Sequence, residues 1–528
     1  MSYRRLSAKR PLHFMKKRSG IVILLIIMLL GTVMAAGCSS DNSSSDEGVY
    51  ASISELSGKR IGVQIGSIFD GLMQEKIPDA QILYFSTFPD IVMALKSNKI
   101  DAFPNLRMVQ SQYMHTDDSV TIIDQEIGRN PAGYVFPKNK KGAALRDQMN
   151  EFLQTLTESG ELGRIEEMWC EKDESKKTMI DYTELPDING KLTFLTEGTF
   201  PPFSYLREDL VVGYDVDIAA RFCKEYGYAL DVVMMNFEAL MPAVTAGKCD
   251  FAASGIAITE ERAQSVYFSD PNIYDRIVFV VLKKDTGSGS FFRSMADSFR
   301  KTFIVEKRYK LFLKGIAATL VINILSLILG TLLGFAMYLA CRKGNPLANK
   351  VTSFFVWLIR GMPAVVLLML LYYVIFGRIS ISGLAVAVIA FTFTFGVSMY
   401  GMLVSGVNAV DPGQTKAGYA LGFDDRSTFF NLILPQAAQH FMPAYRGEIV
   451  ALIKATAIVG YIAVEDLTRV GDIIRSRTYE PFFPIISVAI IYFILAAILT
   501  AITDRVIRNI DPKKRTKEEI LKGIEIHD

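Results

Sequence analysis

Hydrophobic and polar positions follow two rhythms along this chain. Across residues 50–285, short apolar segments at Arg60–Gln64, Gln81–Phe85, Leu192–Leu195, Leu230–Met234 and Ile277–Leu282 alternate with helical patterns. That alternation predicts βαβ units and a soluble α/β body. From about residue 313 the apolar runs lengthen. Those near 315–341, 354–376, 382–405, 442–463 and 483–503 each approach the length of roughly 20 residues that spans a bilayer. The fourth is interrupted by Arg446, Glu448 and Lys454.

Charge orients the runs. Arg342, Lys343 and Lys350 follow the first, and Arg505, Arg508, Lys513, Lys514 and Arg515 follow the last. Both sites then lie in the cytoplasm. Five crossings carry the chain from an outer domain to an inner C-terminus. Arg300, Lys301, Lys307, Arg308, Lys310 and Lys314 fall outside on this scheme. An interfacial amphipathic helix is the expected way to hold them at the headgroups. Lys454 has two open readings, a functional intramembrane cation or a side chain that snorkels to the interface.

The chain has 528 residues, half of them hydrophobic, and a net charge of +2. It is too long for one ordinary domain and lacks the basic surplus that nucleic acid would demand. Cys38, Cys170, Cys223, Cys249 and Cys341 show neither CxxC nor zinc spacing, so no metal site, cofactor or disulfide framework is implied. At the N-terminus seven cations precede the apolar run Ile21–Ala36, the sequence Ala35-Ala36-Gly37-Cys38 and a Ser/Asp-rich tether. This looks like a bacterial lipoprotein signal with Cys38 as the lipidated residue. An uncleaved anchor helix is the alternative, because Ala35 replaces the usual leucine. Both put the residues after 38 outside the cytoplasm.

Between the third and fourth runs lies GQTKAGYALGFDDRSTFFNLILPQA, residues 413–437. Through Gly413, Gln414, Ala417, Gly422 and the exit to Pro435, it resembles the cytoplasmic coupling loop of ABC-importer permease subunits of the polar amino-acid uptake family. The resemblance implies a short helix that docks on a separate ATP-hydrolysing subunit. Lys416 stands where that family has an acid, and Gly418 where it has an alanine. Arg360, Gly361 and Pro363 in IRGMPAVVLLMLLYY, with LIKATAIVGYIAVEDL at 452–467, extend the resemblance over most of 310–510.

The outer body carries a second resemblance. TEGTFPPFSYLREDLVVGYDVDIA, NFEALMPAVTAGKCDFAASGIAITEERA and VYFSDP, within 190–284, are similar to the first lobe of periplasmic amino-acid-binding proteins. LSGKRIGVQIGS and ALKSNKIDAF, within 55–108, resemble the second lobe, and residues 133–173 its closing helices. The usual order is reversed. Either the domain is circularly permuted and rejoined through 174–189, or two tandem domains have each lost half. Permutation is preferred, since a lone lobe would expose its sheet and domain termini tend to lie close together.

By this resemblance Arg262 grips a solute carboxylate, a task suited to its planar fork. Ser67 assists from the other lobe, Phe200 and Phe237 sandwich the side chain, Glu197 and Gln64 read its polar end, and Gly255 offers a carbonyl to the ammonium group. Ala257 replaces a hydroxyl residue, and Leu106 an aspartate that pairs with the ammonium. Glu197 is the candidate replacement; otherwise the solute is not a standard α-amino acid, or it is held weakly. Plainer roles stand beside these: Phe200, Phe203 and Phe237 as core, Arg262 paired with Glu260 or Glu261, and Ser67 as a helix cap.

The expected fold is therefore an α/β two-lobed periplasmic-binding-protein domain, circularly permuted, fused to an all-α type I ABC permease domain. The segments are a signal or anchor at 1–38, a tether at 39–49, the second lobe and closing helices at 50–173, a linker at 174–189 and the first lobe at 190–284. An interfacial linker at 285–312, the membrane domain at 313–510 and a cytoplasmic tail at 511–528 complete the chain. No G-x-x-x-x-G-K-[ST] motif occurs, so ATP hydrolysis is expected from a separate cytoplasmic subunit. The chain reads as a transporter subunit in the bacterial cell membrane rather than an enzyme. Its expected solute is a polar amino acid or a related small carboxylate. A single unit of five crossings cannot enclose a path alone, so a homodimer is expected. A ligand-gated channel and a membrane-bound sensor are the rivals. The first lacks a filter segment, the second an output domain.

Overall fold

The computed structural model describes residues 50, 52–110, 119–283, 296–377, 379, 381–478 and 482–510, with side chains through Ile507. Cys38, the tether and the C-terminal tail lie outside the described residues.

The predicted strands form, with Arg60–Gln64 (β1) and Gln81–Phe85 (β2) at their expected limits. They pair in parallel. The helix Phe69–Lys76 (α1) connects them, and Phe88–Lys96 (α2) follows. A single bridge, Ile61 to Ala102, links β1 to the stretch entering Phe103–Leu106 (β3). Val120–Ala132 (β4) completes the first half of the body.

Chain order then crosses between lobes. Val135–Pro137 (β5) enters a different sheet, followed by the helices Lys140–Glu158 (α3) and Glu161–Cys170 (α4). Asn139 caps α3 by accepting the Gly142 N–H at 2.8 Å. Next come Lys191–Thr196 (β6), Thr199–Phe200 (β7), Ser204–Arg207 (β8), Leu210–Val212 (β9), Tyr214–Glu225 (α5), Ala229–Met234 (β10), Phe237–Thr245 (α6), Phe251–Ala252 (β11), Glu260–Ala263 (α7) and Val266–Phe268 (β12). One sheet has the order β10-β6-β11-β5-β12. The long strand Ile273–Leu282 (β13) returns to the other lobe, between β3 and β4. Each lobe thus combines strands from before and after residue 190. The two crossings, β4 to β5 and β12 to β13, run side by side, with Ile273 opposite Ala132.

The membrane portion departs from five simple rods. Tyr309–Cys341 (α8), Gly383–Asn408 (α11) and the helix beginning at Phe483 (α15, to Ile510) are each long and apolar enough to cross a bilayer. The expected second crossing is two helices, Pro346–Arg360 (α9) and a segment beginning at Ala364–Met369 (α10), bent by 109°. Pro363 sits at the break, where its ring and missing N–H prevent a helix from continuing. The fourth contains Leu434–Ala455 (α13) and bends by 57° before Leu467–Thr478 (α14). Ala463, at φ +59°, lies between them.

At 33 residues, α8 is about 50 Å long at 1.5 Å per residue, well beyond the roughly 30 Å hydrocarbon core. Its N-terminal turns therefore reach the binding domain. Of the nearby cations, Arg300, Lys301, Lys307 and Lys310 are exposed, and two pair with acids of the protein. Arg308 is buried and pairs with Glu306 at 2.8 Å, and Lys314 pairs with Asp209 at 2.6 Å. Lys454 is exposed.

Candidate functional site

The cleft between the lobes gathers residues from distant parts of the sequence. Gln64, Ser67, Glu197, Phe200, Phe237, Gly255 and Arg262 all line one cavity, with about 370 Å³ of empty space. Leu106 and Ala257, the two departures from the family pattern, line it too.

Arg262 lies in α7, which Thr259 caps by accepting its N–H at 3.2 Å. The guanidinium does not turn to Glu260 or Glu261 for its hydrogen bonds. Nη1 donates to the Ala257 carbonyl at 2.9 Å, and Nη2 crosses the cleft to the Gly66 carbonyl at 2.6 Å. Burial pushes its pKa down, with Glu261 opposing. Ser67 Oγ donates to the Gln64 carbonyl at 2.7 Å and accepts weakly from the Phe69 N–H at 3.4 Å, so it also serves the start of α1.

Glu197 follows the last residue of β6, lines the cavity and is 1% exposed. Its Oε1 accepts from Thr199 Oγ1 at 3.0 Å and, across the cleft, from Gln64 Nε2 at 3.4 Å. Oε2 has no hydrogen-bond partner among the described residues. Burial pushes this carboxyl above the ordinary range, while the Arg469 guanidinium pulls the other way. Phe200 stacks on Phe203 at 5.7 Å and meets Phe88 of α2 edge-on at 5.8 Å. Of the three aromatics, Phe203 is fully buried outside the cavity lining, and Phe200 and Phe237 face it.

Gly255 adopts φ +60°. Its N–H donates to Asp215 Oδ2 at 2.8 Å, a carboxyl that burial pushes up to about 6. Its carbonyl accepts from Asn130 Nδ2 at 3.3 Å. Asn130, on the β4 crossing strand, was not foreseen from the sequence. It is 2% exposed, it lines the cavity, and its Oδ1 is without a partner among the described residues. An isolated Asn in a strand gives no sequence signal of this kind. The antiparallel bridge of Ala132 with Ala257, with the Ile258 N–H donating to the Pro131 carbonyl at 2.8 Å, sets it beside Gly255. The cavity thus carries a cation, Arg262, and, with Glu197 and Asn130, two oxygen atoms lacking donors. Buried polar atoms of that kind are costly unless something pairs with them.

The second region follows α11. Pro412–Ala420 (α12) is capped by Asp411, which accepts the Gly413 N–H at 2.7 Å. Gln414 Oε1 accepts from Gln436 Nε2 at 3.2 Å, which ties the helix to the return segment beyond Pro435. A Cβ on Gly418 would lie 2.7 Å from Thr428 Cγ2, so the alanine usual in the resembling loops would not fit without adjustment. Gly422 makes the turn at φ +82°. Lys416 and Ala417 are exposed, as are Tyr419, Leu421, Phe423 and Phe430. Arg342 holds the loop to the end of α8, pairing with Asp425 at 2.8 Å and lying over the Phe429 ring at 4.3 Å. A third feature is an open cavity in the membrane portion, lined by Arg360, Ser398, Ser405, His440 and Glu448 among others.

Comparison with known proteins matches both portions. Residues 192–361 match the family described as bacterial extracellular solute-binding proteins, family 3. Residues 326–516 match the binding-protein-dependent transport system inner membrane component. A putative glutamine transport system permease protein, GlnP, of Rickettsia typhi is 30% identical over 192 residues, 36% of this chain and 88% of that protein. The arginine transport system permease protein ArtQ of Bacillus subtilis is 32% identical over 203 residues, 38% of this chain and 91% of that protein. A solved amino acid ABC transporter crystallised with histidines is 30% identical, with 42% of this chain and 100% of that one covered and a TM-score of 0.36.

Proposed function

The chain belongs to the inner-membrane components of binding-protein-dependent transport systems, joined to a family 3 solute-binding domain, and from that premise we propose that it captures and imports a polar amino acid. It is a multi-pass subunit of a bacterial ABC importer. The cleft takes the solute; the membrane helices carry it. Family membership weighs against the channel and sensor readings.

The observation that carries the amino-acid reading is the single cavity shared by Arg262 and Glu197. The Arg262 fork suits a carboxylate. Glu197 Oε2 and Asn130 Oδ1, without partners among the described residues, together with the Gly255 carbonyl, suit an ammonium group without the aspartate that Leu106 replaces. Phe200 and Phe237 border the side chain, and Gln64 and Ser67 close over it from the other lobe. The sharing of two sheets, one in each lobe, by residues before and after 190 supports one circularly permuted domain, 50–284, rather than two remnants.

The helix α12 and its exposed apolar neighbours form the dock for a cytoplasmic ATPase subunit. ATP binding there switches the path between inward- and outward-facing, and hydrolysis resets it. Two copies of the chain enclose the path, a proposal supported by the membrane cavity that lies open in a single copy. Cys38 is the proposed lipid anchor.

The test is calorimetric titration of the full chain in lipid nanodiscs with the polar L-amino acids, beside an Arg262→Ala variant. Binding by the native chain that the variant loses supports the reading. A folded native chain that binds none of them overturns it.

A further inference from the structure

The helix α14 has the sequence LTRVGDIIRSRT, with three arginines and an aspartate in twelve residues. Such a segment is costly in lipid unless its charges are satisfied by protein. Its apolar residues Leu467, Val470, Ile473 and Ile474 belong to the same apolar core as the binding domain.

Its arginines reach both lobes. Arg469, 3% exposed, donates through Nη2 to the carbonyl of Glu197, the residue that walls the solute cavity, and to the carbonyl of Met235 at 3.0 Å. Both acceptors belong to the lobe built on β6 and β10. Arg475, 4% exposed, donates through Nη2 to Asp90 Oδ1 at 2.8 Å. Asp90 lies in the first turn of α2, in the opposite lobe. One helix of the membrane portion therefore bridges the cleft from outside it.

The grip is unequal. The β6 lobe has a second anchor, because Lys248 donates to the carbonyls of Phe376 and Ile379 and lies 4.7 Å from the Tyr372 ring. Arg477 adds a third nearby, 4.7 Å from the Tyr205 ring and paired with Glu174 at 3.2 Å. The opposite lobe meets the membrane portion at fewer points: the Asp90–Arg475 pair, the approach of Arg475 Nη2 to Met93 Sδ at 3.9 Å, and a hydrogen bond between Ser86 and Tyr461. Asp472 holds the other Arg475 nitrogen at 2.9 Å, so the guanidinium is positioned from its own helix.

We propose that α14 is a latch for the closed binding domain. The β6 lobe stays seated on the membrane portion. The β1 lobe engages Arg475 through Asp90 when the cleft closes and releases it when the cleft opens. The lobes rotate about the β4 and β13 crossings, and α14, fixed to one lobe, cannot follow both. The side held through fewer contacts is the one that parts. The latch also has little slack toward the membrane helices. The Leu467 N–H donates to Thr319 Oγ1 of α8 at 3.3 Å, and a Cβ on Gly471 would lie 2.7 Å from Val488 Cγ2 of α15. Engagement of Asp90 is thus felt by two spanning helices at once. The inference rests on solute capture for the event that closes the cleft.

The test uses the full chain in lipid nanodiscs. Nitroxides are attached through genetically encoded side chains at the exposed positions Lys99 and Lys224, one on each lobe, and lobe separation is read by double electron–electron resonance. Native chain, Arg475→Ala, Asp90→Ala and the double variant Asp90→Ala/Arg475→Ala are compared, without solute and with each L-amino acid. The closed-to-open ratio is expected to fall by up to about fivefold in each single variant, the scale of one ion pair, and to fall no further in the double variant, as for two residues that act through each other. Equal ratios in the native chain and both single variants, or losses that add in the double variant, would overturn the latch. Failure of amino-acid capture has a different signature. No amino acid would then shift the native distribution, while the solute-free difference between native chain and variants persists.

Discussion

Arg262 and Gly66 face each other across the cleft, the guanidinium Nη2 donating to the Gly66 carbonyl at 2.6 Å. An incoming carboxylate competes for that nitrogen and offers a charge-assisted bond in exchange, worth about 1.5–3 kcal/mol. Arg262→Ala is therefore expected to weaken solute binding by about 100-fold. Arg262→Lys keeps the charge but loses the fork, and should fall between the two. Calorimetry on the three proteins checks the order. Equal affinities would remove Arg262 from the site.

If Glu197 holds the solute's ammonium group as proposed, binding is expected to depend on pH. Burial raises its pKa above the usual glutamate value. The carboxylate that would hold an ammonium group is then lost, as pH falls, earlier than an ordinary glutamate would lose it. Affinity should be highest well above the raised pKa and decline on acidification. The solute-free protein should respond in the opposite sense over the window between the unfolded and folded pKa values. There the folded state binds the proton more tightly, so stability rises as pH falls. Glu197→Gln should flatten both profiles. Titrations and thermal melts from neutral to mildly acid pH provide the comparison.

Asn130 should matter through its free oxygen rather than through packing alone. Its amide nitrogen donates to the Gly255 carbonyl at 3.3 Å, and its Oδ1 is without a partner among the described residues. Asn130→Ala removes an ammonium acceptor and should weaken binding by about 10-fold, the scale of one such hydrogen bond. A solute analogue lacking the α-ammonium group should bind native chain and variant alike. If the analogue loses as much as the parent, Asn130 acts by shaping the strand.

Legibility from sequence followed the range of the interactions. The strands Arg60–Gln64 and Gln81–Phe85 were readable to the residue, because a local apolar run ends at charged or turn-forming neighbours. The helix α11 was readable because uninterrupted apolar length is a local property. Pro363 marked a break that the apolar run concealed, and the 109° turn there depends on packing. Asn130 and α14 gave no comparable signal. Asn130 meets Gly255 125 residues away, and Arg475 meets Asp90 385 residues away. The arginines of α14 gain a role only when the fold supplies their partners. Motif resemblance bridged such distances at Gln64, Ser67, Glu197 and Arg262, which share one cavity.

The proposed coupling loop allows fit and surface chemistry to be separated. At Gly418 a Cβ would lie 2.7 Å from Thr428 Cγ2 and 2.9 Å from Leu432 Cδ1. Gly418→Ala should overpack the contact between α12 and the return segment, at a cost of about 1–3 kcal/mol. Faster hydrogen exchange across Pro412–Ala420 and weaker solute-stimulated ATP hydrolysis by the co-purified ATPase subunit are the expected readouts. Thr428→Ala removes the crowding methyl and hydroxyl and should restore part of both. Lys416 is exposed and remote from that contact. Lys416→Ala should leave exchange and melting unchanged while lowering stimulated hydrolysis, if the lysine contacts the ATPase. Unchanged hydrolysis in Lys416→Ala, with loss confined to Gly418→Ala, would limit the role of this loop to holding its own shape.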